Sequence, residues 1–368
     1  LFFRVLETLA VGTLVGYGFT WLHVPVPWML GSITGVLIWQ AVTKRRMQMY
    51  QWTHKLAMIV LGYMIGASFT IEIGREIVKQ LPAMLTATAI LVGCGFLMGI
   101  AIAKLAKVSL DSAVLGTVPG GLGQMIVMAD ERKNADLASV AMMQTIRLLS
   151  IFFTVPFVAR YGFTRGDADI VIPGAAGSWR WDVAALFLAV IVAGTWLSVR
   201  LKVPTPYFMG PIIGVIVLVL IGFHPPQADL LWINMAQVIM GSYLGATMKI
   251  SGNQGLKRLL FLSIASSMLT IVICIPITFM IAAWYNLPLN TAFLSSAPGG
   301  MSEMAVVALL IGADVPVVSA YQLFRILFIL FLVPPLITWF LNRAAGLRRG
   351  KLPLTAAQAE GKASGKAE

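Results

Sequence analysis

The feature that most limits this chain is a set of unbroken apolar runs, each near the length of a bilayer-spanning helix. They include Leu81 to Ala103, Leu137 to Ala159, Val183 to Val199 and Leu259 to Ala283. A helix needs about 20 apolar residues to cross a ~30 Å hydrocarbon core. Backbone polar groups find no water there, so only helices or a closed barrel can span it. Barrel strands alternate apolar and polar residues, whereas these runs are continuous, so the reading is helical. Composition agrees: 11% of the residues are charged, against roughly 25% in a soluble domain. The N-terminus enters an apolar segment after Arg4 and Glu7 without a cleavage site of the signal-peptide type.

Sliding the sequence over itself by 179 residues aligns it without gaps over a long stretch. Val24-Pro25 falls on Val203-Pro204, Gly31 on Gly210, and Gly35-Val36 on Gly214-Val215. Gly62 falls on Gly241, Gly66-Ala67 on Gly245-Ala246, Pro119-Gly120-Gly121 on Pro298-Gly299-Gly300, and Met125 on Met304. At an offset of 178, Asp136 falls on Asp314, Gln144 on Gln322, Arg147 on Arg325 and Pro156 on Pro334. Two unrelated apolar sequences match Leu and Val by chance, but not Pro, Gly, Asp, Gln and Arg in order. The chain therefore reads as a duplication: residues 1–165 and 181–341 are two membrane repeats, 166–180 a linker, and 342–368 a disordered cytoplasmic tail rich in Arg, Lys, Ala and Gly.

Each repeat reads as six segments. In the first they are Arg4 to Leu22, Pro27 to Val42, Trp52 to Phe69, Leu81 to Ala103, Leu110 to Ala129 and Asp136 to Ala159. In the second they are Trp181 to Val199, Pro206 to Gly222, Leu231 to Met248, Lys257 to Tyr285, Thr291 to Gly312 and Asp314 to Leu341. Cytoplasmic loops carry an excess of Lys and Arg. In the first repeat these follow segments two (Lys44, Arg45, Arg46) and four (Lys104, Lys107); in the second they follow segments one (Arg200, Lys202) and three (Lys249, Lys257, Arg258). The swap of parity implies inverted copies, hence an odd number of crossings in each. The fold class expected is an all-α integral membrane protein of two inverted repeats, with about five transmembrane helices and one re-entrant or broken helix apiece. The fifth segment is the exception because Pro-Gly-Gly interrupts it. A re-entrant hairpin and a broken crossing helix both remain open.

Paired broken segments in inverted copies are the arrangement in which secondary transporters bind substrate near the bilayer midplane; the alternative is that the glycines serve close packing. Asp136 and Asp314 stand where helices begin and suit N-caps. Arg147 and Arg325 follow eleven residues later, about 16 Å into the helix. An arginine at that depth is a functional-site hypothesis by default. With Gln144 and Gln322 one turn earlier, the two arginines can clamp a carboxylate or other anion, or tie down carbonyls of the broken segment. Glu303, where the first repeat has Gln124, is a candidate salt-bridge partner or proton-coupling group, and Ser302 a hydroxyl ligand. The expected substrate-binding set is Pro119, Gly120, Gly121, Gln124, Gln144, Arg147, Pro298, Gly299, Gly300, Ser302, Glu303, Gln322 and Arg325.

Other chemistries find little support. Cys94 and Cys274 lie inside apolar runs and read as core fillers; His23, His54 and His224 form no ligand cluster. No nucleotide-binding fingerprint or nucleophile motif occurs. The net charge of +12 comes from cations at segment ends rather than from a basic face, so no direct nucleic-acid contact is expected.

The paired motifs Val118-Pro119-Gly120-Gly121-Leu122-Gly123-Gln124-Met125 and Ala297-Pro298-Gly299-Gly300-Met301-Ser302-Glu303-Met304, with Asp, Gln and Arg at matched spacing, resemble the bacterial AbrB-type membrane proteins over nearly the whole chain before the tail. Members carry two names, a regulator of gene expression and an ammonia monooxygenase. The layout is also similar to inverted-repeat transporters, including 2-hydroxycarboxylate carriers with glycine-rich re-entrant loops. The monooxygenase name requires a copper or iron site for which the sequence offers no ligand set. The name AbrB also belongs to an unrelated soluble DNA-binding protein whose swapped-hairpin strands are absent here. The expectation is a multi-pass protein of the bacterial inner (plasma) membrane, a secondary transporter of a small organic anion. It is not expected to be an enzyme or to need a cofactor; its partners are the bilayer, the anion and, since related architectures dimerise, a second copy. The competing expectation is a membrane-embedded regulator that acts indirectly.

Overall fold

The computed structural model describes residues 2–120, 122–130, 132, 134–164, 181–203, 205–226, 229–248 and 257–349. The protein is all-helical. In chain order the helices are α1 (Phe2–Trp21), α2 (Pro27–Thr43), α3 (Gln51–Ala67), α4 (Ile71–Lys79), α5 (Leu81–Ala106), α6 (Leu110–Thr117), α7 (Leu122–Asp130) and α8 (Leu137–Phe157), which runs on into a π-helical turn, Val158–Phe163. After the linker come α9 (Trp181–Arg200), α10 (Pro206–Ile221), α11 (Leu230–Thr247), α12 (Lys257–Tyr285), α13 (Leu289–Ser296), α14 (Met301–Leu310) and α15 (Val315–Arg349).

Five of these are long and apolar enough to cross a bilayer: α5, α8 with its π turn, α9, α12, and α15 as far as Leu341. A 26-residue helix such as α5 extends about 39 Å, more than the ~30 Å hydrocarbon core. Helices α10 and α14 are shorter apolar segments. Leu188, Val192 and Trp196 of α9 are exposed, as expected of a face that meets lipid tails. Trp21, Trp52 and Trp339 are also exposed, as interfacial anchors should be, whereas Trp28 is half-buried where α2 meets α1.

Small residues let the backbones approach, and the contacts recur at the offset of 179. A Cβ on Gly31 would lie 2.5 Å from the Gly16 Cα, and one on Gly210 would lie 2.5 Å from the Thr195 Cα. These contacts join α1 to α2 and α9 to α10. A Cβ on Gly62 would lie 2.6 Å from the Phe208 carbonyl oxygen, and one on Gly241 would lie 2.5 Å from that of Met29. Thus α3 packs on α10 and α2 on α11, each half lending a helix to the other. Left-handed backbone at non-glycine residues follows the same spacing: His23 and Lys202, Val26 and Thr205, Lys107 and Asn286.

The fifth segments, Leu110 to Ala129 and Thr291 to Gly312, do not form single helices. Each is two short ones, α6 with α7 and α13 with α14, of eight to ten residues. Each short helix spans about 12–15 Å, half the core or less. Their outer ends meet. Arg132, beyond α7, bonds Asp111 in the first turn of α6 at 3.4 Å, and the Asp136 N–H donates to the Ser112 hydroxyl at 2.7 Å. In the second half the Asn290 amide reaches the Ile311 carbonyl at 3.4 Å, and the Asp314 N–H donates to Thr291 Oγ1 at 3.0 Å. A broken crossing helix would hold those ends apart, so the geometry is a hairpin.

Three further findings differ from the sequence reading or lie beyond it. α4 was not anticipated: it is a nine-residue helix capped by the Thr70 hydroxyl, too short and too charged to register as an apolar run. α15 continues to Arg349, so the expected tail from 342 begins as helix, because Ala344, Ala345, Leu347, Arg348 and Arg349 are strong helix formers. The linker expected at 166–180 and the tail from 350 lie outside the described residues.

Candidate functional site

Proline at 119 supplies no N–H for the carbonyl four residues earlier. In this protein that carbonyl, of Leu115, accepts from the Gln144 side-chain amide at 2.7 Å. The same substitution recurs at Pro298, where the Leu294 carbonyl accepts from Gln322 at 2.8 Å. Each amide also reaches a second carbonyl, Val118 at 3.3 Å and Ala297 at 3.1 Å. The side chains thus supply donors to the last turn of each inbound short helix, whose carbonyls a helix end leaves unpaired.

The arginines complete that role. Arg147 Nη1 donates to the Val118 carbonyl at 2.8 Å and Nη2 to that of Gly120 at 3.0 Å. Arg325 Nη1 donates to the Ala297 carbonyl at 2.6 Å and Nη2 to that of Gly299 at 2.5 Å. The carbonyl-tying role weighed above is therefore present at both breaks. The two halves then diverge. Arg325 Nη2 also donates to Gln322 Oε1, whereas Arg147 Nε and Gln144 Oε1 have no partner.

All four side chains are buried: Gln144 and Gln322 at 0% exposure, Arg147 at 7% and Arg325 at 5%. Among the described residues no carboxylate lies in ion-pair contact with either arginine.

Glu303 occupies the first turn of α14, three residues after the N-cap Gly300. Its carboxylate accepts from the Ser302 hydroxyl at 3.1 Å. It is 8% exposed and lies where any Cβ on Gly300 would go, so a side chain at 300 would displace it. No Lys or Arg among the described residues pairs with it, so the salt-bridge role is not met in this conformation. Gly120 and Gly299 pack beneath Met125 and Met304. Gly121 and the Gln124 side chain lie outside the described residues.

Asp136 and Asp314 cap α8 and α15, accepting from the N–H of Ser139 at 3.0 Å and Val317 at 3.1 Å. Their environments differ. The Ser139 hydroxyl, aided by backbone N–H groups, holds the Asp136 carboxyl below its ordinary range. Burial pushes the Asp314 carboxyl up, with the Val317 N–H opposing and Glu76 of α4 adding to the rise.

Sequence reasoning missed the hydroxyls that fasten the hairpins to their neighbours. Thr117 Oγ1 donates to the Gly95 carbonyl of α5 at 2.8 Å, and Ser296 Oγ to the Cys274 carbonyl of α12 at 3.4 Å. Both pairs recur at the offset of 179, which is the signal that could have found them. Among the described residues no three His, Cys, Asp or Glu side chains gather as a metal cluster.

Residues 5–341 match the family described as "Transition state regulatory protein AbrB". The chain belongs to the AbrB family. Among its relatives is the "Putative regulator AbrB" of Escherichia coli strain K12, 25% identical over 342 residues that cover 91% of this chain and 95% of the relative. Another is the "Uncharacterized protein YhjN" of Bacillus subtilis strain 168, 27% identical over 300 residues covering 75% and 77%. This AbrB-family protein is a multi-pass membrane protein, and the lipid bilayer is its first partner.

Proposed function

We propose that this AbrB-family protein is a secondary transporter of a small organic anion in the bacterial inner membrane, and not an enzyme. In this reading the two halves are inverted copies, each with about five crossing helices and one hairpin that enters and leaves on the same side. The N-terminus, α7 and the C-terminus then face the cytoplasm, and the linker and α14 face outward. The swapped loop charges and the matched hairpins support that arrangement, in which the two Pro-Gly-Gly tips approach the midplane from opposite sides.

One observation carries the anion. Two buried guanidinium groups, one from each half, pair with no carboxylate among the described residues. The helix C-terminal carbonyls that hold them offset part of the charge. The remainder is best balanced by an anion held between the tips, bound through guanidinium donors that the carbonyls leave free. The test is uptake by proteoliposomes of a labelled panel of mono- and dicarboxylates. The expected result is saturable exchange of at least one of them, reduced to the protein-free rate by Arg147→Ala and by Arg325→Ala. Absence of exchange across the panel, or full exchange by both variants, overturns the reading.

The regulator reading draws on the family description and on the name of the Escherichia coli relative. It predicts a transcriptional phenotype that survives both arginine substitutions and is lost with the cytoplasmic Lys44 to Arg46 loop.

A further inference from the structure

The two hairpins are alike in backbone and unlike in how their polar atoms are used. In the second half Gln322 Oε1 and Arg325 are bonded to each other, and the first turn of α14 is already occupied by the Glu303 carboxylate. In the first half Gln144 Oε1 is buried without a partner, and so is the Arg147 Nε beside it. The residue that corresponds to Glu303 is Gln124, which brings no charge to the start of α7. Arg147 Nη2 lies 3.0 Å from the Gly120 carbonyl, so its guanidinium stands beside the break where α7 begins at Leu122.

A buried donor without a partner costs about 1–3 kcal/mol, more for a charged group, and a helix N-terminus attracts anions. In the second half Gln322 Oε1 has its donor and Glu303 brings a carboxylate to the helix start; in the first, Gln144 Oε1 and Arg147 Nε are left without partners. We infer that the protein binds a single carboxylate group on the first-half side, at Arg147 Nε beside the start of α7, and that Glu303 fills the matching place in the second half as a built-in carboxylate. Gln144 Oε1 takes its donor from a water or a ligand hydroxyl next to that carboxylate. The site therefore favours monocarboxylates, because a second acid group would meet Glu303. This inference rests on the anion-site reading above and narrows it.

Binding to the purified full chain, read from the shift of its thermal midpoint with acetate, butyrate and succinate, tests it without requiring transport. The unsubstituted protein is expected to bind butyrate at least as tightly as succinate. Glu303→Ala vacates the second place and should raise the succinate-to-butyrate affinity ratio at least tenfold, and by more than Glu303→Gln, which keeps an acceptor oxygen. Independently of whether those variants fold, Arg147→Lys, which removes Nε, should weaken butyrate binding at least tenfold more than Arg325→Lys. Succinate preferred by the unsubstituted protein, an unchanged ratio in a folded Glu303→Ala, or equal losses in the two lysine variants each overturns the inference while leaving an anion carrier standing. Binding of none of the three overturns it together with the site from which it starts.

Discussion

The two hairpins perform the same structural task with different chemistry. At the first, an ion pair between Asp111 and Arg132 closes the base, and both side chains keep some solvent contact, at 17% and 16%. At the second, a buried asparagine amide reaches a backbone carbonyl. At the tips, the second half bonds its glutamine to its arginine, and the first does not. The backbone solution is shared because proline creates the same missing donor in both places. The side-chain endings are free to differ because once the carbonyls are satisfied, nothing in the fold dictates the use of the remaining donors. The second hairpin is thereby the closed member of the pair, and the first the one with capacity to spare.

The largest effect expected from this difference is on stability. Arg→Ala at either position leaves the half-buried carbonyl of Gly120 or Gly299 without its arginine donor, at about 1–3 kcal/mol, while Val118 and Ala297 keep the glutamine amide. Arg325→Ala also strips Gln322 Oε1 of its donor. Arg325→Ala should therefore unfold in detergent at a lower temperature than Arg147→Ala, by the equivalent of about one further hydrogen bond. Equal losses would mean that the Gln322 contact contributes nothing and that the halves are energetically alike.

A second comparison concerns where the halves should behave identically. Gly31 and Gly210 each meet a backbone Cα at 2.5 Å from any added Cβ. Overpacking of this kind costs about 1–3 kcal/mol. Gly31→Ala and Gly210→Ala should lower the thermal midpoint by similar amounts, while Gly18→Ala, with open space around it, should not. A large disparity between the first two would show that one helix pair can splay and the other cannot.

How far these features were legible in the sequence follows from their physical origin. Helix α12 was read as Lys257 to Tyr285 and is found there, because apolar length against a bilayer leaves few alternatives. The proline breaks were legible for the same local reason. The hairpin closure was not, since it depends on Asn290 meeting a carbonyl 21 residues away, and a carbonyl has no sequence signature. Likewise the spacing placed Arg147 and Arg325 at depth without telling whether carbonyls or an anion would receive their donors. The divergence at Gln144 Oε1 was invisible, because identical residues stand at both positions. Only Glu303 against Gln124 could be seen in advance.

A smaller effect separates the capping aspartates by pH. The Asp136 carboxyl is held low in the folded protein by Ser139. Its stabilisation is present above the unfolded value of about 3.9 and is lost as pH falls through the lower folded value. The Asp314 carboxyl is raised by burial. Its charge is a penalty at neutral pH, relieved as pH falls through the raised value. Asp314→Asn should therefore match or exceed the unsubstituted protein at pH 7 and lose that advantage on acidification. Asp136→Asn should be the weaker protein at pH 7 and approach it below pH 4. Thermal midpoints between pH 3 and 7 measure both, and parallel curves for the two variants would contradict the difference in environment.

The smallest effect tests strain rather than charge. Lys107 and Asn286 end α5 and α12 in corresponding left-handed conformations, with φ of 56° and 54°. Asparagine tolerates that region because its short side chain bonds locally, whereas lysine does not. Glycine carries no Cβ penalty there and is the usual residue at such helix ends. Lys107→Gly should raise stability by about 0.5–1 kcal/mol, since relief of the left-handed penalty exceeds the added freedom of the unfolded chain. Asn286→Gly should gain less, because less strain is present to remove. Chemical denaturation of the two variants side by side gives the comparison. A greater gain at Asn286 would mean that the first half has relaxed its backbone elsewhere, and that the matched conformations no longer carry matched costs.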